Sequence, residues 1–228
     1  MKSEIKRALF NYRFICISTI GIIIAILHSY SKVYEYIYIS KNLKKFAEIG
    51  QNPYFPISSA FTMWMGWDDE SKYSRIFFII FPLIAVLPYC WSYCSDYKNG
   101  YTNIAIEKLG KFKYHKSKYI AVFISSGLVI SIPLIVDFLI ILLFIPATVP
   151  DSVYDIYYGI FSNNFMAGMF YSTPFMYIII FILLNFVYCG LFGCIGYAAS
   201  TLIKNKIISA LSPNIIVLTT EFIKNIAL

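Results

Sequence analysis

Five apolar runs, each close to the roughly 20 residues that an α-helix needs to cross a bilayer, constrain this chain more than any other feature. They cover about Phe14 to Tyr30, Ile76 to Tyr93, Tyr119 to Phe144, Thr173 to Ala199 and Ile207 to Ile223. Only 14% of the 228 residues are charged, against about 25% in ordinary soluble domains. The expectation is an all-α, polytopic membrane helix bundle forming one domain over residues 1–228.

The formal charge of +7 sets orientation rather than nucleic-acid binding, because the basic residues flank the apolar runs. The N-terminal stretch 1–13 carries Lys2, Lys6, Arg7 and Arg13 against Glu4, and is expected to be cytoplasmic and amphipathic. Alternation then places 31–75 outside, 95–118 inside and 146–172 outside. The 95–118 stretch holds Lys98, Lys108, Lys111, Lys113, Lys116 and Lys118, whereas 146–172 has Asp151 and Asp155 and no Lys or Arg. Lys204 and Lys206 follow the fourth run. The 31–75 loop, with Tyr34, Tyr36, Tyr38, Tyr54, Trp64 and Trp67 among Pro53 and Pro56, reads as ordered short helices at the outer interface.

Residues 96–118, DYKNGYTNIAIEKLGKFKYHKSK, form a basic island longer than a connector requires. Asn103 to Leu109 suits a short amphipathic helix: Ile104, Ile106 and Leu109 give apolar contact, Glu107 and Lys108 give charge, and Gly110 closes it. Such a helix either docks on another protein or rests on anionic headgroups.

A basic N-terminal helix, a span, a long aromatic outer loop, a second span and then Asp96-Tyr97-x-Asn99-Gly100, Gly110, Lys113 and Ser117-Lys118 leading into the third resembles the permease subunits of ABC-2 type ABC transporters. The resemblance implies that Asn99, Gly100, Asn103, Ile104, Ile106, Glu107, Lys108, Leu109 and Gly110 form a coupling helix in contact with a separate ATP-binding subunit. It also implies support of that contact by Lys6, Arg7 and Arg13, a second permease subunit, a bacterial cytoplasmic-membrane location, and a sixth span in addition to the five. ATP and Mg would be bound by the partner, since the chain has no G-x-x-x-x-G-K-[ST] phosphate loop. The expected activity is export of an amphipathic or hydrophobic substrate, such as an antimicrobial peptide. The alternative is a membrane protein that sequesters a peptide without an ATPase.

Within the spans, Asp137 is the one clear carboxylate. It is read either as a pathway residue or as a structural partner for a Tyr or Asn on a neighbouring helix. Asn185 could hydrogen-bond across a helix contact, and Gly190, Gly193, Cys194, Gly196 and Ala198 present a small-residue packing face. Pro82, Pro88 and Pro133 are expected to kink their helices. Cys16, Cys90, Cys94, Cys189 and Cys194 read as small apolar core residues. His28 and His115 read as ordinary interfacial residues that make no metal site together. Neither an enzymatic role nor a nucleic-acid partner is expected.

Overall fold

A computed structural model of the chain describes residues 2–48, 58–68, 70–161, 163–203 and 205–227. These residues are mostly helical, with no strand among them. The order is α1 (Lys2–Leu9), α2 (Tyr12–Glu48), α3 (Lys72–Val86), α4 (Ser92–Lys98), α5 (Tyr101–Leu109) and α6 (Lys111–Phe144). A 3-10 turn (Ser152–Tyr154), α7 (Asp155–Tyr158), α8 (Ala167–Ser172), α9 (Pro174–Ile203) and α10 (Lys206–Ala227) follow.

Among the described residues, three helices are long and apolar enough to cross a membrane: α2 over Tyr12–Lys45, α6 and α9. At 1.5 Å per residue the 34 residues of α6 reach about 51 Å, well beyond a hydrocarbon core of about 30 Å. The differences from the five expected runs have local causes. Helix α2 does not stop at Tyr30, because residues 31–48 contain neither Gly nor Pro, so much of the stretch read as an outer loop is helix. The second run is broken: α3 ends at Val86, turns carry Pro88, and α4 starts at Ser92. Proline removes an N–H and biases the residue before it away from the helical region, so Pro88 ends a helix rather than kinking one. Only Lys206–Thr220 of α10 forms a shorter apolar helix. Residues 58–68, 70 and 71 lie in turns, bends and irregular backbone rather than the short helices expected there, and Pro53, Tyr54 and Pro56 lie outside the described residues.

The chain divides into two compact units, to both of which α2, α6 and α9 contribute. The first comprises 1–21, 77–132 and 184–228. Its small-residue face is a seam between α6 and α9. A Cβ on Gly190 would meet the Phe123 ring at 2.5 Å, and one on Gly127 would meet the Phe186 ring at 2.5 Å and the Phe186 carbonyl oxygen at 2.8 Å. Each phenylalanine therefore lies over the glycine of the opposite helix, and the two rings meet edge to face at 5.7 Å. Gly193 sits against Ser126 and Val122 in the same seam.

The second unit comprises 22–76 and 133–183. Trp64, wholly inside, packs edge to face on Phe138 at 5.8 Å and on Phe181 at 5.4 Å. Phe170, Tyr177, Ile141 and Ile160 extend the same core.

The seam generates a prediction for stability in detergent. Gly127→Ala should destabilise by about 1–3 kcal/mol, because the Phe186 carbonyl in its way is backbone. Gly168→Ala, in α8 with nothing within 4 Å of the added Cβ, should be neutral or stabilising by up to about 1 kcal/mol. Thermal unfolding of the two variants beside wild type checks this, and equal midpoints would contradict the seam.

Candidate functional site

In the first unit three buried charges, Glu4, Asp96 and Lys118, and the exposed Arg7 tie three helices together. Glu4 and Arg7, three residues apart on α1, share a face, and Arg7 Nη1 donates to Glu4 Oε1 at 3.0 Å. Arg7 Nη2 reaches Asp96 Oδ1 of α4 at 3.0 Å. Lys118, wholly buried near the start of α6, places its ammonium 2.6 Å from Asp96 Oδ2 and 2.9 Å from Glu4 Oε2. It also donates to the Tyr89 hydroxyl at 3.2 Å, and that hydroxyl donates to Glu4 Oε2 at 2.8 Å. An ammonium has three N–H donors, and here each has an acceptor. Two acids and two bases close the set without net charge.

Helix α5 is fastened to the same framework. Arg7 lies over the Tyr101 ring at 5.0 Å, and Thr102 and Ala105 face inward. The helix is bracketed by Gly100 at φ 71° and Gly110 at φ 81°, left-handed backbone that glycine adopts without strain. The Gly110 N–H returns to the Ile106 carbonyl at 2.8 Å. Of the residues that the resemblance assigns to partner contact, Asn99, Gly100, Asn103, Ile104, Glu107, Lys108, Leu109 and Gly110 are exposed and Ile106 is half-buried. Ile104 and Leu109 keep 54% and 53% of their surface open. Among the basic residues of the N-terminus, Arg7 is in the charge set, Arg13 stacks 3.9 Å over Trp91, and Lys6 is exposed on α1.

The second unit holds a different polar set. Asp137, on α6 and wholly buried, does not pair with a Tyr or Asn as expected. Its Oδ1 lies 2.7 Å from His28 Nδ1 and accepts the Ser29 hydroxyl at 2.7 Å, while its Oδ2 accepts the Met65 N–H at 2.7 Å. His28 likewise departs from the interfacial role expected of it: it is wholly buried, with Nε2 3.0 Å from Asp68 Oδ2. Lys32 bridges Asp68 at 2.9 Å and Glu35 at 3.0 Å. A helical stripe of His28, Lys32 and Glu35, four and three residues apart, was the available sequence signal for this set. Beside it lies a cavity of about 350 Å³, lined among others by Lys32, Glu35, Trp67, Asp68, Glu70 and Tyr158. The Trp67 indole N–H donates to the Tyr158 carbonyl at 2.7 Å, fixing one wall.

Asn185 lies half-buried on the α9 stretch assigned to the first unit, whereas Asp137 belongs to the second, so these two candidate pathway residues fall in separate units. His115 is half-buried, 3.0 Å from the Tyr197 hydroxyl. The cysteines are free thiols; Cys90, Cys94 and Cys189 are buried, Cys194 is half-buried and Cys16 is exposed. Among the described residues, no group of three or more His, Cys, Asp and Glu side chains could hold a metal ion. Comparison of the chain with family models, curated proteins and solved structures finds no match.

Burial alone raises the Glu4 carboxyl, but the Lys118 ammonium, the Tyr89 hydroxyl and Arg7 outweigh it and hold Glu4 below the usual carboxylate range. For Asp68, burial is outweighed by His28 and Lys32 in the same direction. A carboxyl lowered in the folded state contributes stability that is fully present above its unfolded value, about 4, and is lost as pH falls through its folded value. Acid unfolding should therefore steepen below about pH 4, with a shallower slope in Glu4→Gln. Lys118→Met, which leaves two buried carboxylates to share the single Arg7 guanidinium, should cost about 3–5 kcal/mol. Thermal unfolding against pH measures both effects.

Proposed function

We propose that the chain is the permease subunit of an ABC-type exporter, with five spans and a cytoplasmic N-terminus, moving an amphipathic or hydrophobic substrate across a bacterial cytoplasmic membrane. A separate subunit binds and hydrolyses ATP, and a second permease subunit completes the path. The observation that carries this reading is the mechanical setting of α5. Its exposed residues Ile104, Glu107, Lys108 and Leu109 offer a contact of mixed apolar and charged character. Its other face is fixed by Arg7, and Arg7 in turn holds the Asp96 that grips Lys118. A push on α5 is thus passed through the Arg7–Tyr101 cation–π contact to α1, and from Arg7 through charge-assisted hydrogen bonds to Asp96 and Lys118 at the start of α6. A helix that only rested on lipid has no need of that chain of contacts.

A second reading, an ATPase-independent membrane protein that sequesters a peptide, draws on the cavity beside Trp67 and Tyr158. Its aromatic wall and acidic lining suit capture without requiring a partner at α5.

The test is co-purification from the native host. Wild type should bring down an ATP-hydrolysing subunit, and the double reversal Glu107→Arg, Lys108→Glu should lose it while retaining its thermal midpoint, since both side chains are exposed. Absence of any ATPase with wild type would overturn the exporter reading in favour of sequestration.

A further inference from the structure

The Asp68, His28 and Asp137 set carries a consequence that holds with or without an ATPase partner. Each ring nitrogen of His28 faces a carboxylate oxygen: Nδ1 faces Asp137 Oδ1 at 2.7 Å and Nε2 faces Asp68 Oδ2 at 3.0 Å. A neutral imidazole has one N–H and one lone pair. Either tautomer would aim a lone pair at an anionic oxygen inside a wholly buried site. Two ionised carboxylates in these positions therefore require one proton more than a neutral ring supplies.

That extra proton belongs on the ring. Asp137 already accepts the Ser29 hydroxyl and the Met65 N–H, and Asp68 accepts the Lys32 ammonium at 2.9 Å and the N–H groups of Glu70 and Ser71 at 3.2 and 3.3 Å. The donors to Asp68 favour its anion. The groups around His28 are thus Asp137 from α6, Asp68 and the Met65 amide from the 58–71 segment, and Ser29 and Lys32, the latter with Glu35, from its own helix. One imidazolium between two carboxylates is neutralised only with Lys32 included.

Access is one-sided. His28 and Asp137 are wholly buried, whereas Asp68 lines the cavity. The 58–68 segment grips the helices of this unit through two of these groups: the Met65 N–H on Asp137, and Asp68 on His28 and Lys32. Loss of the Nε2 proton through Asp68 to water in the cavity would leave the ring its Nδ1–H on Asp137, and would set the Nε2 lone pair against Asp68. The Asp68 grip on the ring would then break, while the Met65 grip on Asp137 stays.

We propose that Asp68, His28 and Asp137 form a proton-binding site, filled and emptied through the cavity, whose occupancy decides whether Asp68 ties the 58–68 segment to both His28 and Lys32 or to Lys32 alone. The ligand is a single proton, and the coupled element is the segment that carries Trp64 into the core and Trp67 into the cavity wall.

The experiment is two-bond proton–nitrogen correlation spectroscopy of the histidine rings in the full chain in detergent micelles, with His28 assigned by comparison with His115→Gln. At about pH 7 both His28 ring nitrogens should carry protons in wild type. In Asp68→Asn, whose amide can donate to Nε2, the ring should be neutral with its proton on Nδ1. Raising the pH of wild type until the ring deprotonates should, in step, lower the protection of the amides of residues 63–68, each measured against its intrinsic exchange rate at the same pH, by roughly tenfold or more, as loss of a charge-assisted hydrogen bond allows. A neutral ring in wild type at about pH 7 overturns the site. A doubly protonated ring that persists in Asp68→Asn overturns the role of Asp68. Exchange that does not follow the ring's titration overturns the coupling, and because this arm uses wild type it decides even where the variant fails to fold.

Discussion

A wholly buried ammonium survives in a protein only when each of its protons has an acceptor and its charge is matched, because an unpaired buried ion costs several kcal/mol. Lys118 satisfies both conditions through Glu4, Asp96 and Tyr89, with Arg7 supplying the second positive charge. That requirement determines much of the first unit. If the N-terminal helix left, Lys118 would lose one of its two carboxylates, and if α4 turned away it would lose the other. The short helix α5, which follows α4 after a single glycine turn and precedes α6 after another, inherits a fixed position from those contacts. The exporter reading depends on that fixity, since a contact helix that moved freely could not transmit force.

The second unit meets the same requirement differently. The set around Lys118 and Arg7 contains no histidine, the side chain whose charge ordinarily changes near neutral pH, so it is a lock with one state. His28 is the one side chain of its set whose charge ordinarily changes near neutral pH, and its two carboxylates are compatible only with the protonated ring. One unit therefore has a rigid polar joint, and the other has a polar joint with a built-in variable. The cavity adjoins the variable one, through Asp68.

How much of this was legible in the sequence differs from element to element. Helices α6 and α9 follow from long apolar runs that contain few stops. The overrun of α2 beyond Tyr30 was hidden by lysines and tyrosines that suggested a loop, although the absence of Gly and Pro over 31–48 was the better guide. The helix before Gly110 was visible because its stop signal and its apolar spacing are local. Arg7, Asp96 and Lys118 could be singled out, but not their mutual pairing: Arg7 and Asp96 are 89 residues apart, and nothing in local sequence joins them. Glu4 looked like one acid in a basic terminus and proved to be half of the answer to Lys118. The partners of Asp137 were missed for the same reason, since His28 is 109 residues away and Asp68 lies in a turn region without periodicity.

The claim at the centre is that Lys118 holds the N-terminal helix on the framework that carries α5. Hydrogen–deuterium exchange of wild type and Lys118→Met, followed peptide by peptide in detergent, addresses it directly. The account predicts that the amides of Lys2–Leu9 and Tyr101–Leu109 lose protection together in the variant, while those of Pro174–Leu183 in the other unit keep theirs. Undiminished protection of Lys2–Leu9 in Lys118→Met would contradict it.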